Sequence, residues 1–388
     1  MAPNTKKDQM IPQPALEADL DVIRGRMIEG HMNGNANGHR AKESLTDADF
    51  APHSHDEYDH VADFRLPTVS ECIQLYKTYK GKIVWRNVIL MTILHGYFPY
   101  ACYLFFFAIQ WKTFFYTWGL LYLSGFGITA GAHRLWAHKS YKARLPLRLF
   151  LTFCQTLAFQ NDIYEWCRDH RVHHKFSETD ADPHNAKRGF FFSHIGWLLV
   201  KKHPDVKEKG KTIDMSDLME DPIIYYQRKY YVPIVLTVSL ILPSYLPVWV
   251  WNENPWYAFV VCSLGRYCFS LNCTWLVNSA AHMWGNKPYD REISAVENYK
   301  VSQWVLGEGW HNYHHTFPWD YKTSELGLYQ FNLTAMFIDF MARIGQAYDL
   351  KTVDHETIMQ RVNRTGDGSE TFMRHSDDIE PSDHKKMD

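Results

Sequence analysis

The chain has 388 residues, a formal net charge of −2 and a mean hydropathy of −0.35. The charge favours no class of partner, and seven scattered cysteines without a CxxC pair argue against a disulfide framework or a cysteine zinc site. The mean hydropathy conceals strong segregation. Residues 1–65 and 366–388 are polar, and we expect disordered tails there, with a membrane domain at 66–365 between them.

Four apolar stretches are long enough to cross a bilayer, which takes roughly 20 residues. They lie at about 88–109, 113–132, 231–251 and 256–281, and very short connections group them into two hairpins. The shorter stretch Leu145–Phe159 holds Arg148 and Gln155, which favours an amphipathic helix at the membrane surface. Basic residues before the first span and after the second predict that both termini and the region between the hairpins face the cytosol.

Nine histidines are clustered beside these spans. They are His133 and His138 in HRLWAH, His170, His173 and His174 in HRVHH, His282 in NSAAH, and His311, His314 and His315 in HNYHH. On a helix, residues i, i+3 and i+4 share one face, so each HxxHH motif is expected to present three imidazoles to one side. All nine can converge in one layer, although a single histidine such as His355 is more often an ordinary surface or core residue.

Nine imidazoles exceed what one metal ion needs, so two metals are the natural interpretation. Structural zinc favours cysteine-rich, four-coordinate sites, and no cysteine lies within the clusters. Neutral nitrogen ligands in this number suit a pair of redox-active irons that handle oxygen. Ligand chemistry alone leaves zinc open.

At these residues the chain closely resembles the membrane-bound acyl-CoA desaturases of the stearoyl-CoA desaturase type. The resemblance runs from about Trp85 to Gly368, and GNKPYD at 285–290 is most similar to insect members. The motifs that carry it are WRN at 85–87, GITAGAHRLWAH at 127–138, FQNDIYEWCRDHRVHH at 159–174, GWLLVKKHP at 196–204, TWLVNSAAH at 274–282, GEGWHNYHHTFPWDY at 307–321 and RTGDG at 364–368.

The resemblance implies an all-α integral membrane protein of the endoplasmic reticulum, multi-pass, with four transmembrane helices and a cytosolic helical cap that holds a di-iron site. It implies that the enzyme uses O2, and electrons from NADH through cytochrome b5 and its reductase, to insert a cis double bond into a saturated long-chain fatty acyl-CoA. Δ9 is the default position, and nucleic acid is not an implied partner. The resemblance also implies that all nine clustered histidines are metal ligands. Asn278 stands at the position where members of the family have an asparagine that holds a metal-bound water.

The resemblance also implies substrate contacts with the CoA moiety and the upper acyl chain. The matching positions are Asn87, Asn161, Arg168, Asp169, Lys201, Lys202 and Trp275. Lys201 stands where an arginine is common, which keeps the charge and loses the guanidinium fork. Independently, Arg168, Lys201 and Lys202 suit anionic CoA phosphates, although cations at a membrane edge can equally be solvated surface charge.

The acyl tail must lie in an enclosed apolar tunnel, and the aromatic residues Trp166, Trp275 and Tyr122 are candidates to line it. Leu121 and Gly125 share a helix face, and Gly125 leaves room near the closed end of such a tunnel or merely lets two helices approach.

Alternative functions remain open from the sequence. Another regiospecificity, such as Δ11 or Δ12, fits the same motifs. A related di-iron lipid hydroxylase or sphingolipid desaturase shares histidine motifs but fits the paired lysines less well. A metal transporter should place polar ligands near the bilayer midplane and repeat its two halves, and neither feature is found here.

Overall fold

The computed structural model describes residues 83–325 and 331–369, and within these ranges the chain is almost entirely helical. The one sheet of this described part pairs two short antiparallel strands, Lys142–Ala143 and Ala347–Tyr348. The predicted all-α class therefore agrees with the structure. The predicted tails lie outside the described residues, except for 366–369.

The first helical hairpin begins with Trp85–Phe107, which a short turn connects to Trp111–Phe126. The second of these helices continues directly as a π-helix, Gly127–Ala137. Helix Trp85–Phe107 is apolar and mostly uncovered: the rings of Phe106 and Phe107 are 67% and 78% exposed. A large apolar surface of this kind marks a region whose natural surroundings are not water.

The second hairpin differs from the first in having a π-helical segment inside each of its arms. Its first arm consists of Tyr231–Val235, Leu236–Ile241 and Leu242–Trp251, and its second of Pro255–Ala258, Phe259–Gly265 and Arg266–Asn278. The tips of the two hairpins are joined by Glu253, whose carboxylate accepts hydrogen bonds from the Gln110 N–H at 2.9 Å and from the Thr113 hydroxyl. The two hairpins therefore meet at their tips.

Among the described residues, two helices are long and apolar enough to cross a bilayer, Trp85–Phe107 and Tyr231–Trp251. The other two predicted spans are also helical, but they carry more polar residues, including the fully buried Arg266. The Arg266 guanidinium donates to the carbonyls of Cys262, Leu157 and Ser239, so its hydrogen bonds stay inside the protein. The four-span topology remains a prediction.

The remaining helices pack beside the hairpins. The two longest that precede the second hairpin are Leu145–Ala158 and Ile163–Lys175. Shorter segments follow at Ala186–Arg188, Phe192–Gly196, Trp197–Leu199, Pro204–Gly210, Ser216–Met219 and Pro222–Lys229, and after the second hairpin at Ala280–His282, Tyr299–Trp304, His311–Thr316, Leu333–Arg343 and His355–Thr365. Their shared core includes Leu147, Leu151, Ile163, Leu218 and Ile338.

One close helix contact fixes the π-helix Gly127–Ala137 against helix Leu145–Ala158. A Cβ atom on Gly127 would lie 2.2 Å from the backbone of Cys154 and Gln155, so only glycine fits at this contact. Because His133 lies in the same π-helix, the contact also sets the position of the first histidine relative to the other helices.

Candidate metal centre and substrate cavity

The π-helix explains how His133 and His138, five residues apart, present their rings together. A π-helix bonds each N–H to the carbonyl five residues earlier, and the His138 N–H bonds the His133 carbonyl at 3.0 Å. The two ring centroids lie 4.9 Å apart. Two side chains five residues apart would point in different directions on an α-helix, and on this π-helix they point the same way.

Three further elements supply the other seven histidines. Helix Ile163–Lys175 carries His170, His173 and His174, the 3-10 turn Ala280–His282 ends at His282, and helix His311–Thr316 carries His311, His314 and His315. Asp162 caps the first of these helices by accepting a hydrogen bond from the Glu165 N–H at 2.9 Å, which fixes where its turns begin.

The nine histidines separate into two groups, and within each group the candidate ligand atoms lie within 4.8 Å of one another. The five-histidine group contains His133, His138, His170, His174 and His314, and the four-histidine group contains His173, His282, His311 and His315. Each HxxHH motif is therefore divided between them. Neighbouring residues on a helix point about 100° apart, so the i, i+4 pair stays together while the third histidine joins the other group.

The Nε2 atoms point into the centre of each group. In the five-histidine group the Nε2 atoms of His133 and His314 lie 2.9 Å apart, and those of His138 and His170 lie 2.8 Å apart. Convergent imidazole nitrogens are the donors that iron, copper, nickel and zinc take in proteins, whereas calcium and magnesium take oxygen. Each group therefore fits one transition-metal ion.

A carboxylate lies behind the five-histidine group. The Glu308 Oε2 lies 2.8 Å from His133 Nδ1, on the side of the ring away from the group. The same carboxylate accepts from the Arg134 guanidinium at 2.8 Å, and Arg134 is fully buried. Metal-binding histidines commonly donate their second N–H to a carboxylate, which fixes the ring and leaves Nε2 free to bind.

Two carboxylates lie behind the four-histidine group. Asp182 accepts from His173 Nδ1 at 3.0 Å, and its second histidine neighbour is His184 at 3.6 Å. Glu178 lies 3.1 Å from His282 Nδ1. Three of the nine histidines therefore have their far nitrogen held by an acidic side chain, so their Nε2 atoms face the two groups.

Burial keeps most of these histidines neutral. It lowers the pKa well below the ordinary value, and neighbouring imidazoles lower it further, in His138, His170, His174, His311, His314 and His315. For His173, burial opposes the charge but Asp182 outweighs it, so the pKa is raised. Burial opposes the Glu308 charge too, yet Arg134 and His133 lower the pKa of Glu308 to about 2. Neutral imidazole is the form that binds metal.

An apolar cavity of about 220 Å³ ends at the histidines. Its walls include His133, His170, His173, His311 and Asn278 at one end and Trp118, Leu121, Tyr122, Gly125 and Phe269 along the second and fourth predicted spans. Trp166 also lines it and stacks on His170 with ring centroids 5.0 Å apart. Of the three aromatic residues predicted to line a tunnel, the structure brings Trp166 and Tyr122 to the cavity.

Trp275 is the exception, because it does not line this cavity. Its side chain is 2% exposed and lies between the rings of His95 and His194, with centroid distances of 6.1 Å and 5.7 Å. The helix turns Trp275 away from the cavity, whereas Thr274 and Asn278 line it.

Three of the four charged residues predicted to contact the substrate, Arg168, Asp169 and Lys202, form a connected set. Lys202 forms a salt bridge with Asp169, and Arg168 lies 3.3 Å from the same carboxylate. Arg168 also pairs with Glu165, which in turn accepts from Arg228 at 3.1 Å. The side chains of Arg168 and Lys202 are 30% and 28% exposed, so water or an anion can reach both.

The other predicted polar contacts have the following local surroundings. The Asn87 amide donates to the Leu198 carbonyl at 2.8 Å, which ties the start of the first helix to the segment before Lys201 and Lys202. Asn161 adopts a left-handed backbone with φ of 67°, and its carbonyl accepts from Gln155 at 2.7 Å. Lys201 is exposed.

Sequence reasoning missed the acidic residues behind the histidines and one polar pair at the cavity. Glu308 lies three residues before His311, so proximity to a histidine motif was an available signal. Asp182 and Glu178 come from a loop, which carries no periodic pattern. Gln160 donates to the Thr274 hydroxyl at 3.0 Å, and Thr274 lines the cavity.

Comparison with known proteins identifies the family. The fatty acid desaturase family model matches residues 109–339. An acyl-CoA Delta-9 desaturase from Acheta domesticus is 62% identical, over 75% of this chain and 81% of that protein. An acyl-CoA Delta12-desaturase from the same species is 57% identical over 76% and 83%, and a stearoyl-CoA desaturase from Homo sapiens is 54% identical over 75% and 80%. The resemblance is confirmed, and the chain belongs to the fatty acid desaturase family, among its acyl-CoA desaturases.

Proposed function

We propose that this chain is an oxygen-dependent, di-iron oxidoreductase that inserts a cis double bond into a saturated long-chain fatty acyl-CoA, at Δ9 by default. The observation that carries the proposal is the position of both histidine groups at one end of an apolar cavity. NADH supplies the electrons through cytochrome b5 and its reductase in this proposal.

The five-histidine group and the four-histidine group would each hold one iron. Asn278, which lines the cavity together with His173 and His311 of the four-histidine group, would hold a water on that side. When bound, the iron pair supplies an oxidant strong enough to remove hydrogen from an unactivated methylene, which no side chain can do. Glu308, Asp182 and Glu178 keep three of the rings in position for that role.

The cavity selects the methylene that reacts. Only geometry distinguishes one methylene of an acyl chain from its neighbours, so the walls must hold the chain in one register. Trp166 is stacked on His170, and Thr274 accepts a hydrogen bond from Gln160. These two cavity-lining side chains are therefore held in position. The apolar lining also excludes water from the reacting carbons.

Arg168, Lys201 and Lys202 would bind the anionic groups of CoA, with Asn87, Asn161, Asp169 and Trp275 as further contacts. Asp169 and Glu165 now pair with the cations, so phosphate binding would exchange a carboxylate partner for a phosphate partner. The cations stay paired through such an exchange, which lowers the cost of desolvating them, while Asp169 and Glu165 each give up a partner.

The membrane of the endoplasmic reticulum is the proposed location, with four spans, both termini in the cytosol and the metal site on the cytosolic side. Support comes from the two strongly apolar helices and from the exposed aromatic residues along Trp85–Phe107. Helix Leu145–Ala158 also exposes Leu145 and Leu149, as an interfacial helix would.

A second candidate is the same reaction at another carbon. Relatives with similar identity are named Delta12 and Delta(11) desaturases, at 57% and 54%, against 62% for the Delta-9 relative. Expression in a desaturase-deficient yeast, followed by gas chromatography and mass spectrometry of the fatty acids, tests both. A new bond at carbon 9 supports the proposal, and a bond at carbon 11 or 12 supports the second candidate. A hydroxylated product, or no product at all, contradicts both.

A further inference from the structure

The two histidine groups differ in the net charge of the side chains behind them. Behind the four-histidine group lie two carboxylates, Asp182 on His173 and Glu178 on His282. Behind the five-histidine group lies one, Glu308 on His133, and this carboxylate is paired with the Arg134 guanidinium. The side chains behind the four-histidine group therefore carry a net negative charge, and those behind the five-histidine group are neutral overall.

Both acidic residues behind the four-histidine group are firmly held without a cation. Asp182 is 2% exposed and accepts from the backbone N–H groups of Glu178 and His184, each at 3.0 Å. Glu178 accepts from the Ser294 hydroxyl at 2.6 Å and from the Lys187 backbone N–H at 3.0 Å. Within the described ranges, histidines are their only salt-bridge partners. The hydrogen-bond donors that fix these carboxylates are neutral, and Lys287 acts on Glu178 through space without forming a salt bridge to it.

The arginine behind the five-histidine group is buried, so its guanidinium cannot leave Glu308 for another anion. Arg134 is 0% exposed, donates to Glu308 through two nitrogens at 3.2 and 2.8 Å, and donates to the carbonyls of Tyr321 and Lys322. The pair Arg134–Glu308 therefore stays together and orients His133 without adding net charge to the five-histidine group.

We propose that Asp182 and Glu178 make the two metal positions electrostatically unequal, so that a metal in the four-histidine group is stabilised in its higher oxidation state. The inference rests on the proposed function, because it concerns two irons. A nearby negative charge stabilises the more positive ion, and the effect is large where low dielectric leaves the charge unscreened. An iron held by the four-histidine group would then have the lower reduction potential of the two.

The test is a one-electron redox titration of the purified, iron-loaded full chain, followed by electron paramagnetic resonance of the mixed-valent state. We expect two separate reduction steps in the wild-type chain. Asp182→Asn and Glu178→Gln should each raise the lower-potential step by about 59 mV or more, a tenfold change in the equilibrium for one electron, and leave the upper step in place. Asp180→Asn is the matched control, because Asp180 is 62% exposed and pairs with Arg188, and it should shift neither step.

Each outcome decides the proposal. Equal potentials in the wild type, or a shift of both steps together in Asp182→Asn and Glu178→Gln, overturn it. If Asp182→Asn retains only one iron, the redox titration of Glu178→Gln decides the proposal, because Asp182 is intact in that variant and still orients His173. A wild-type chain that binds no iron overturns the proposed function itself, and that result is distinct from two irons with equal potentials.

Discussion

The layer formed by the nine clustered histidines and the long apolar helices both depart from the usual rule that charged side chains are exposed and apolar ones buried. Around the histidines, charged groups such as Arg134, Asp182 and Glu308 are buried and paired. Along helix Trp85–Phe107, large apolar side chains such as Phe106 and Phe107 are exposed. The buried charges of the layer are stabilised by ion pairs, as in Arg134–Glu308, or by hydrogen bonds, as in Asp182, and the helices are stable only where their surroundings are apolar.

This difference implies that the two regions should respond independently to mutation. Substitutions in the histidine layer should remove metal and activity while the helices still insert. Substitutions at helix contacts should change stability, and substitutions at the cavity should change which substrate is accepted.

The largest effect is expected at the metal ligands. His173→Ala and His314→Ala should each abolish double-bond formation and lower the iron content, because each removes a nitrogen from a different group. Membrane insertion should be intact, since the helices do not depend on the histidines. Fatty-acid analysis and carbonate extraction of membranes measure the two properties. His355→Ala, at an exposed position, is the control. Normal product from either variant removes that histidine from the ligand set.

A smaller effect is expected at the predicted CoA site. The double variant Lys201→Glu, Lys202→Glu should raise the apparent KM about tenfold or more and change kcat less, because it removes binding that the ground state and the transition state share. The defect should vary with salt, since exposed charges are screened over about 8 Å at physiological ionic strength.

Lys207→Glu with Lys211→Glu is the control for this double charge reversal, because both residues are exposed on a neighbouring segment. If this control raises the apparent KM equally, general surface charge accounts for the effect and the two predicted lysines have no specific role.

At a helix contact, Gly127→Ala should destabilise the protein by roughly 1–3 kcal/mol, because the added Cβ meets backbone atoms that cannot move aside. Gly119→Ala is the matched control in the same helical arm, with nothing within 4 Å of its added Cβ. It should be neutral or stabilising by up to about 1 kcal/mol. Thermal unfolding in detergent compares them, and equal midpoints would contradict the packing assigned to Gly127.

The smallest effect is expected on chain length. Gly125 lines the cavity, and a Cβ added there would lie 2.5 Å from the end of the flexible Leu306 side chain. Gly125→Phe should therefore shorten the cavity and shift preference from 18-carbon toward shorter acyl-CoA substrates, while the bond stays at the same distance from the carboxyl end. Gly125→Ala should shift preference less. Competition between 14-, 16- and 18-carbon substrates measures this, and equal loss on all three indicates helix packing instead.

The sequence predicted the histidine layer better than its internal arrangement. Clustering and helical spacing predicted that nine imidazoles converge, and the structure brings them together in two groups. The HxxHH motifs were expected to point one way, but His173 and His174 belong to different groups, because a single face of a helix is wider than one metal site. The π-helical turn that joins His133 to His138 has no marked sequence signal.

The carboxylates behind the histidines could not be predicted from pattern. Glu178 has a positive φ of 60° in a loop, and loops place side chains through local conformation that periodicity does not encode. Trp275 was assigned to the cavity by its residue type, whereas the phase of its helix turns it to the other side. Residue types and spacing therefore predicted the chemistry, and tertiary contacts determined the geometry.

The central claim is that the nine histidines form two metal positions in one chain. Elemental analysis of the purified wild-type protein, alongside His173→Ala and His314→Ala, tests it most directly. We expect two irons per chain in the wild type and a loss from a different position in each variant. One metal per chain, or zinc in place of iron at both positions, would contradict the account.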